Sequence, residues 1–485
     1  MSGHLLSLVI FLPLAGTVLL WLLPQRHGRA VATGVLLLTL ALAVAVVVVF
    51  DSAQGGFQLV ERALWIRSLR VHYLVGVDGL SVLFLPVTVL LFLGSSVAAW
   101  TAVASPRHHF SLLLCLATAT LGVFCALDTV LFFLFWELTL VPLYFMVGRW
   151  QATADGRNVA ARYFLFMLAG GVPLLFAFLT LAASQVSLAF DLTALLAAPL
   201  PRATQYALLL LFLLGFGAKV PVFPLHTWLP QTALAAPGAI AALLVGLKLG
   251  AYGLIRFAIP LAPEAAEDLH WLLAGLGTVS LLYGAVASLG QTNLRVMLAY
   301  SSISHVGLVL VGVASLSFQG IQGAVAQLLN FSIATGGAFL LAEFLRQRTG
   351  STDIRSLGGA MGTMPLLAGG FLLCGLAGMG LPGTSGFPGE LLILISALRT
   401  HAGAGLGALF GLVVGAAGFL GLYRKAFFGP VTRPEVAQAQ DLRPREWAVL
   451  IVIVLLTLGC GLYPAPLLDI IAPAAEVWAG RMAGG

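Results

Sequence analysis

The feature that most constrains this chain is a succession of apolar stretches, each about twenty residues long and separated by short polar connections. In a helix, about 20 apolar residues cross a hydrocarbon core of ~30 Å, and only helices or closed barrels satisfy every backbone group there. The pattern therefore predicts an all-α integral membrane protein with about fourteen transmembrane helices. The predicted spans are 4–23, 31–50, 78–100, 109–126, 129–148, 160–184, 205–224, 233–258, 271–289, 296–314, 320–345, 364–398, 403–423 and 447–466.

Composition agrees with a membrane protein and excludes a soluble one. Of the 485 residues, 60% are hydrophobic and only 9% are charged, which lies outside the usual range for soluble domains. The formal net charge of +6 does not indicate nucleic-acid binding, because the basic residues stand singly between apolar spans and form no cluster. The lipid bilayer is the expected surrounding, and no nucleic acid is expected as a partner.

The distribution of basic residues predicts the orientation. Fifteen of the 24 Lys and Arg residues fall in loops that follow odd-numbered spans, and seven fall in the opposite loops and the carboxyl tail. Because basic loops are retained in the cytoplasm, both termini are expected on the outer side. The expected location is the inner membrane of a bacterium, crossed many times.

The sequence shows no motif for a cofactor or a metal in this chain. Four cysteines lie far apart in apolar stretches, without the spacing of a zinc or iron–sulfur site. No Walker loop and no glycine-rich dinucleotide fingerprint is present. We expect neither electron transfer nor ATP hydrolysis in the chain itself.

Four ionisable residues fall deep inside predicted spans: Glu137, Lys219, Lys248 and Glu390. A charge at this depth costs ~2.5–3.5 kcal/mol on insertion scales, so such residues tend to be paired and functional. Two interpretations remain open. The charges form structural salt bridges between helices, or they act as a proton relay, because burial brings amines and carboxylic acids within range of exchanging a proton.

Two of the spans contain helix-breaking residues beside an ionisable group. Pro221 and Pro224 follow Lys219, and a run of Gly and Pro from Gly380 to Gly389 precedes Glu390. Breaks at corresponding positions of two halves are typical of transporters built from inverted repeats, although Gly and Pro are also common in ordinary membrane helices. The sequence therefore predicts two broken helices, each with a charge at its break.

Two histidines lie close to this proposed pathway. His226 follows Pro224, and His305 lies in the segment AYSSISHVG. Imidazole suits proton transfer near neutral pH, but a hydrogen bond that only packs two helices explains either residue equally well. Asp78 precedes the third span, where a helix N-cap is a sufficient explanation.

Seven segments resemble the antiporter-like, proton-translocating subunits of respiratory complex I and the related cation/proton antiporters. The segments are VGVDGLSVLF (75–84), LFFLFWELTLVPLYF (131–145), AKVPVFPLHTWLP (218–230), LKLGAYGLIRF (247–257), QTNLRVMLAYSSISHVG (291–307), GLPGTSGFPGE (380–390) and YPAPLLD (463–469). They span nearly the whole chain. The resemblance implies two inverted five-helix repeats, each with a broken helix, in a single membrane domain over residues 1–485. Its expected parts are N-terminal helices (1–108), a first repeat (109–258), a second repeat (271–423) and a C-terminal helix with a tail (424–485).

The resemblance also implies roles. Glu137 and Lys219 would form a modulating ion pair, Lys248 would carry the proton, and Glu390 would release it toward the exit. The implied partners are the other membrane-arm subunits, namely the antiporter-like L and N types and a small K type. The complex would contain NADH, FMN, iron–sulfur clusters and a quinone, none of them in this chain.

The sequence departs from the family pattern inside the presumed pathway. Gln231, Ala233 and Ala235 stand where the family usually has ionisable residues, and Asn330 stands where it has a histidine. Asparagine orients water but does not take up a proton near neutral pH. Three functions therefore remain open: a proton-pumping subunit of NADH:quinone oxidoreductase, a subunit of a multi-subunit sodium/proton antiporter or related ion-coupled complex, and a non-conducting scaffold.

Overall fold

The computed structural model describes residues 2–101, 103, 105–185, 188–198, 200–431 and 433–483, and it is predominantly helical as the sequence predicts. The N-terminal part comprises α1 (Leu5–Leu22), α2 (Gly28–Val49), β1 (Gln58–Ile66), β2 (Val71–Val77) and α3 (Phe84–Ala99). The next part comprises α4 (Pro106–Cys125), α5 (Thr129–Leu138), α6 (Leu140–Arg149), α7 (Gly156–Ala183), α8 (Leu192–Ala197), α9 (Arg202–Lys219), α10 (Trp228–Ala235), α11 (Gly238–Gly246), α12 (Leu249–Gly253), a π-helical turn (Leu254–Ala258) and α13 (Pro263–Asp268).

The second half of the chain is again helical. It comprises α14 (His270–Leu289), α15 (Leu294–Ala314), α16 (Phe318–Thr349), α17 (Ala360–Thr363), α18 (Pro365–Gly378), α19 (Gly386–Thr400), α20 (Ala402–Phe427), α21 (Pro434–Ala437), α22 (Pro444–Leu462) and α23 (Ala465–Ala483). Eleven helical stretches in the described part of the chain are long and apolar enough to cross a membrane. The predicted number of about fourteen also counted shorter apolar helices, among them α3 and α18.

The core is organised around α16, a helix of 32 residues that is buried along nearly its whole length. At 1.5 Å per residue it is about 48 Å long, more than the ~30 Å of a hydrocarbon core. Helices α3, α11, α15, α18, α19, α22 and α23 pack against it. The outer helices expose large apolar side chains, such as Val48 and Val413, which are 78% and 69% exposed. An apolar exterior of this extent is typical of a surface that faces lipid.

One element departs from the all-α prediction. Strands β1 and β2 form an antiparallel hairpin within 51–77, which the sequence presented only as a polar excursion. The segment is rich in β-branched and aromatic residues, which favour strands. Its apolar runs are too short to cross a bilayer as a helix. The Glu61 carboxylate accepts hydrogen bonds from the backbone N–H groups of Leu6 (2.8 Å) and Ser7 (3.2 Å). The hairpin thereby holds the start of α1.

The carboxyl-terminal residues, predicted as a tail, form α23. This helix packs against the start of α16 and against α13, and the Trp478 indole donates a hydrogen bond to the carbonyl of Ile255 (2.8 Å). A Cβ on Gly79, at the end of the hairpin, would lie 2.2 Å from the carbonyl oxygen of Ile470. These contacts all lie at one end of the bundle, so α23 runs across that end.

Both predicted helix breaks are present. The first separates α9 from α10 by the non-helical residues 220–227, and the second separates α18 from α19 by residues 379–385. The Trp228 indole donates to the carbonyl of Ala218 (2.8 Å), one of the groups that the end of α9 leaves without a helical partner. Freed backbone groups inside the protein are therefore satisfied by neighbouring side chains.

Candidate functional site

Glu137 lies in the last turn of α5, just before Thr139, where a short interruption separates α5 from α6. Its carboxylate packs against α7 at a glycine, since a Cβ on Gly171 would lie 2.2 Å from Oε1. That oxygen is buried and has no hydrogen-bond partner among the described residues. Because an unsatisfied buried acceptor is costly, this position suits a group that binds water or a proton.

Lys219 is the last residue of α9 and faces the interruption beside Glu137. Its Nζ donates to the hydroxyl of Thr139 (2.7 Å) and to the carbonyl of Trp136 (3.2 Å), and it lies 3.9 Å from the centroid of the Trp136 ring. Among the described residues, no ion pair within 4.0 Å joins Lys219 to Glu137. Lys219 is therefore bound by Trp136 and Thr139, which flank Glu137 in the sequence, and not by the carboxylate that was predicted to pair with it.

Lys248 lies at a helix break that the sequence did not indicate. The predicted span 233–258 is divided into α11, α12 and the π-helical turn, and Lys248 stands between α11 and α12. Its Nζ donates to the Ser302 hydroxyl of α15. A hydroxyl both donates and accepts, so Ser302 can accept from an ammonium or donate to a neutral amine.

Lys219 and Lys248 line the same internal cavity, of about 40 Å³. Thr139, Ser302 and Tyr163 contribute to its wall. A cavity holds one water when roughly 10–15 Å³ is open to the centre of a water molecule and polar partners are present. The cavity therefore has room for water between the two amines.

His305 lies on α15, three residues after Ser302 and hence on the same helix face. Its imidazole stacks on the Phe331 ring with centroids 4.3 Å apart, and Nε2 lies 3.4 Å from the Ser301 hydroxyl. His305, Ser301 and Gly378 line a second cavity of about 30 Å³. His305 is thus placed between Lys248 and the second helix break.

Asn330 lies at that break. Its Oδ1 accepts from the Ser385 hydroxyl (2.6 Å), and its Nδ2 donates to the carbonyl of Ala377 (3.4 Å). The side chain is 2% exposed. The asparagine that replaces the expected histidine therefore bonds to both sides of the interruption between α18 and α19.

Glu390 lies in α19 and is 5% exposed. Its Oε1 accepts from the Gln327 amide (2.9 Å), and a Cβ on Gly380 would lie 1.9 Å from its other oxygen. Gln327 is three residues before Asn330 on α16, so both amides lie on one face. The carboxyl group is enclosed by the backbone of the break and by one amide.

His226 is placed away from the cavity that the lysines share. Its ring lies 5.5 Å from that of Phe223 and 4.6 Å from that of Tyr283 on α14. Tyr283 is 38% exposed on the outer surface of the bundle. The contacts of His226 are therefore those of helix packing.

The departures from the family pattern occupy α10. Gln231 is exposed, whereas Ala233 and Ala235 are buried. The carbonyl of Ala233 accepts from the Arg295 guanidinium at 2.6 Å, and that of Ala236 also accepts from it. Arg295 is 1% exposed and satisfies the last carbonyls of α10. The sequence had placed this arginine in a loop.

A second buried charge was also missed. Arg256, near the end of the predicted span 233–258 but not among the four buried charges that the sequence indicated, is 6% exposed in its side chain and forms a bidentate ion pair with Asp78 (2.6 Å from Nη1 to Oδ2). Asp78 also accepts from the backbone N–H of Leu80, as an N-cap would (3.0 Å). One feature of the sequence could have indicated that Arg256 is buried: it lies on the same apolar segment as Lys248.

Similarity to known proteins extends over most of the chain. Residues 126–415 match the family described as NADH:quinone oxidoreductase/Mrp antiporter, TM. NADH-quinone oxidoreductase subunit M of Rhodobacter capsulatus is 33% identical, over 97% of this chain and 95% of that protein.

Two solved structures share the fold. A chain of respiratory complex I from Thermus thermophilus with bound NADH superposes with a TM-score of 0.91 at 32% identity, over 98% of this chain and 99% of that chain. A chain of the Mrp complex from Dietzia sp. superposes with a TM-score of 0.87 at 24% identity, over 99% and 97%. The chain therefore belongs to the NADH:quinone oxidoreductase/Mrp antiporter family of membrane subunits, and the relatives that match nearly its full length include NADH-quinone oxidoreductase subunit M proteins.

Proposed function

We propose that this chain is the proton-translocating membrane-arm subunit M of a bacterial NADH:quinone oxidoreductase. The family match over residues 126–415 and the similarity to subunit M of Rhodobacter capsulatus over 97% of the chain support the assignment. The observation that carries the proposed chemistry is the cavity shared by Lys219 and Lys248, two amines that come from two different helix breaks. In this proposal the chain is a multi-pass protein of the inner membrane with both termini outside.

In this proposal, the shared cavity lets the charge of Lys219 affect the protonation of Lys248. Two ammonium groups in a low-dielectric space repel each other, so a proton on Lys219 disfavours a proton on Lys248. The charge of Glu137, next to the residues that bind Lys219, biases the first amine. A change at Glu137 therefore passes a proton across cavity water to Lys248.

The second half of the route continues from Lys248 through the Ser302 hydroxyl toward His305 and Glu390. Between His305 and Glu390 lie Asn330 and Gln327, whose amides orient water but do not take up protons. Bound water is the carrier in this stretch. Glu390, at the second break, receives the proton and releases it.

The energy for this movement comes from electron transfer in partner subunits. Moving one charge against 100 mV costs about 2.3 kcal/mol. In the described part of the chain, no three side chains of His, Cys, Asp or Glu come together to hold a metal. We assign NADH, FMN, iron–sulfur clusters and quinone to other subunits of the complex, whose membrane arm adds the L, N and K types.

The decisive experiment measures NADH-driven acidification of inside-out membrane vesicles that carry Glu137→Gln or Lys248→Met. Each change removes a titratable group while keeping a similar shape, so protons moved per NADH should fall. Matched controls are Glu435→Gln and Lys425→Met, at exposed positions of α21 and α20. Both controls should pump as the unmodified protein does.

Undiminished pumping in both site variants, with the complex assembled, would contradict the proposed route. It would favour a non-conducting scaffold. Proton flux that requires sodium, without co-purifying flavin or iron–sulfur proteins, would instead indicate a sodium/proton antiporter. Mild-detergent purification of the same membranes separates these two outcomes.

A further inference from the structure

An apolar groove of about 410 Å³ opens on the side of the bundle, away from the proton route. Its walls come from α2, α3, α16 and α22. Thirteen of the twenty lining residues are Leu, Val or Ile, and the polar ones are Thr33, Ser332 and Arg445. An apolar cavity of ~150 Å³ already stays dry and takes up a small hydrocarbon. A groove this large, within a membrane protein, is therefore suited to a long apolar ligand.

Arginines gather at one end of the groove. Arg29 begins α2, Arg445 lies in the first turn of α22 and lines the groove, and Trp100 directly follows α3. The Nε atoms of Arg29 and Arg445 are both buried, and neither has a hydrogen-bond partner in the described part of the chain. Arg445 thus lines the groove with a free Nε donor, although its Nη2 donates to the Thr101 hydroxyl (3.3 Å), and Arg29 lies within electrostatic range of it.

The neighbouring charges leave this mouth positive. Arg29, Arg348 and Arg443 all lie within electrostatic range of Arg445. The nearby Glu446 carboxylate pairs with Arg348 and accepts from the backbone N–H of Arg443 (2.9 Å). The charges of Glu446 and Arg348 therefore offset each other, and those of Arg29, Arg443 and Arg445 remain. The site therefore fits a ligand with an anionic head and an apolar tail.

We propose that this groove binds an anionic phospholipid, with its phosphate on Arg29 and Arg445 and an acyl chain between α3 and α22. Basic pockets between membrane helices on the cytoplasmic side are known binding places for anionic head groups. Phosphate matches the planar donors of arginine. Tryptophan is enriched at the level of the lipid head groups, and the proposal places Trp100 at that level.

The length of the groove agrees with one lipid leaflet. Along α22 the lining runs from Arg445 to Leu456, which is about 17 Å at 1.5 Å per residue. Half of a ~30 Å hydrocarbon core is about 15 Å. An acyl chain held at the arginines by its head group would end near Leu456, at the depth of the bilayer centre.

The test uses the intact complex, purified in mild detergent, and native mass spectrometry of this chain released from it. One variant combines Arg29→Gln with Arg445→Gln, and a second fills the groove with Val452→Trp. The matched controls are Arg67→Gln with Arg70→Gln, on the exposed hairpin, and Val413→Trp, on the lipid-facing surface of α20. The lipids offered are phosphatidylglycerol and phosphatidylcholine.

The unmodified chain and both controls should retain phosphatidylglycerol in preference to phosphatidylcholine. The arginine variant should lose this preference by roughly tenfold, and Val452→Trp should retain less of either lipid. Equal retention and preference in all five proteins would overturn the proposal. A photo-reactive residue at position 97, on the groove wall, should cross-link to lipid; a cross-link to a peptide instead would show that a partner subunit fills the groove.

Discussion

At the scale of single residues, hydroxyl groups hold both candidate amines. Thr139 accepts from Lys219, and Ser302 is bonded to Lys248, each from a neighbouring helix. A hydroxyl costs less to bury than a carboxylate and remains bonded in either protonation state of the amine. A direct carboxylate partner would instead stabilise the ammonium form. The arrangement therefore suits a lysine that gains and loses its proton.

Asn330 is the residue at which the sequence departs most clearly from its family, and its contacts predict its role. Asn330→Leu removes the bonds to Ser385 and to the carbonyl of Ala377, leaving buried groups unpaired. We expect proton translocation per NADH to fall roughly tenfold, since water in this stretch loses its orienting partner. The assay is acidification of inside-out vesicles at equal complex content.

Two further variants make this prediction specific. Asn330→His restores the side chain that the resemblance leads one to expect, and it should translocate at least as well as the unmodified protein. Asn158→Leu, at an exposed position of α7, makes the same chemical change away from the route and should have no effect. If Asn330→Leu also pumps normally, water at this point of the route has another partner.

At the scale of helices, the second break depends on backbone conformations that favour glycine. Gly380 has φ +63° and Gly383 has φ +89°, both in the left-handed region. The two differ in their surroundings, because a Cβ would lie 1.9 Å from the Glu390 carboxylate at Gly380 and 3.6 Å from Leu462 at Gly383. This difference separates the effect of backbone strain from that of a displaced carboxyl group.

We predict that Gly380→Ala reduces proton translocation far more than Gly383→Ala. Both variants bear a similar strain of about 1–2 kcal/mol from the left-handed conformation, so their thermal stabilities should fall alike. Only Gly380→Ala also moves Glu390. Measuring stability and vesicle acidification on both variants tests this, and equal losses of pumping would mean that the break matters and the position of Glu390 does not.

The helices and their breaks could be predicted because their signals are local. Apolar length identifies a span, and Gly or Pro identifies an interruption, as at Pro221 and Gly380. The break at Lys248 could not be predicted, since no proline marks it. The residues that bind Lys219, Lys248 and Glu390 were also missed. Ser302 and Gln327 are ordinary polar residues whose partners lie 54 and 63 positions away, and only packing brings them together.

At the scale of the whole molecule, the two ends of the bundle are organised differently. One end carries the arginines beside the apolar groove. The other is closed by the hairpin, α13 and α23, around the buried pair of Asp78 and Arg256. These two residues are 178 positions apart, and Trp478 of α23 bonds to the carbonyl of Ile255 next to Arg256. The ion pair thus joins the N-terminal and middle parts of the chain, and the Trp478 hydrogen bond beside it adds the C-terminal part.

This pair allows a prediction about the stability of the whole fold. Asp78→Asn leaves the Arg256 guanidinium buried without its counter-charge, which costs about 3–5 kcal/mol. The double variant Asp78→Leu with Arg256→Met removes both charges and should be much closer to the unmodified protein, because no unpaired ion remains. The measurement is the midpoint temperature of unfolding of the purified complex, followed by tryptophan fluorescence.

Asp268→Asn, in the exposed pair with Arg202, is the control and should shift the midpoint little. A double variant as unstable as Asp78→Asn would mean that the attraction between the two charges itself holds the three parts together.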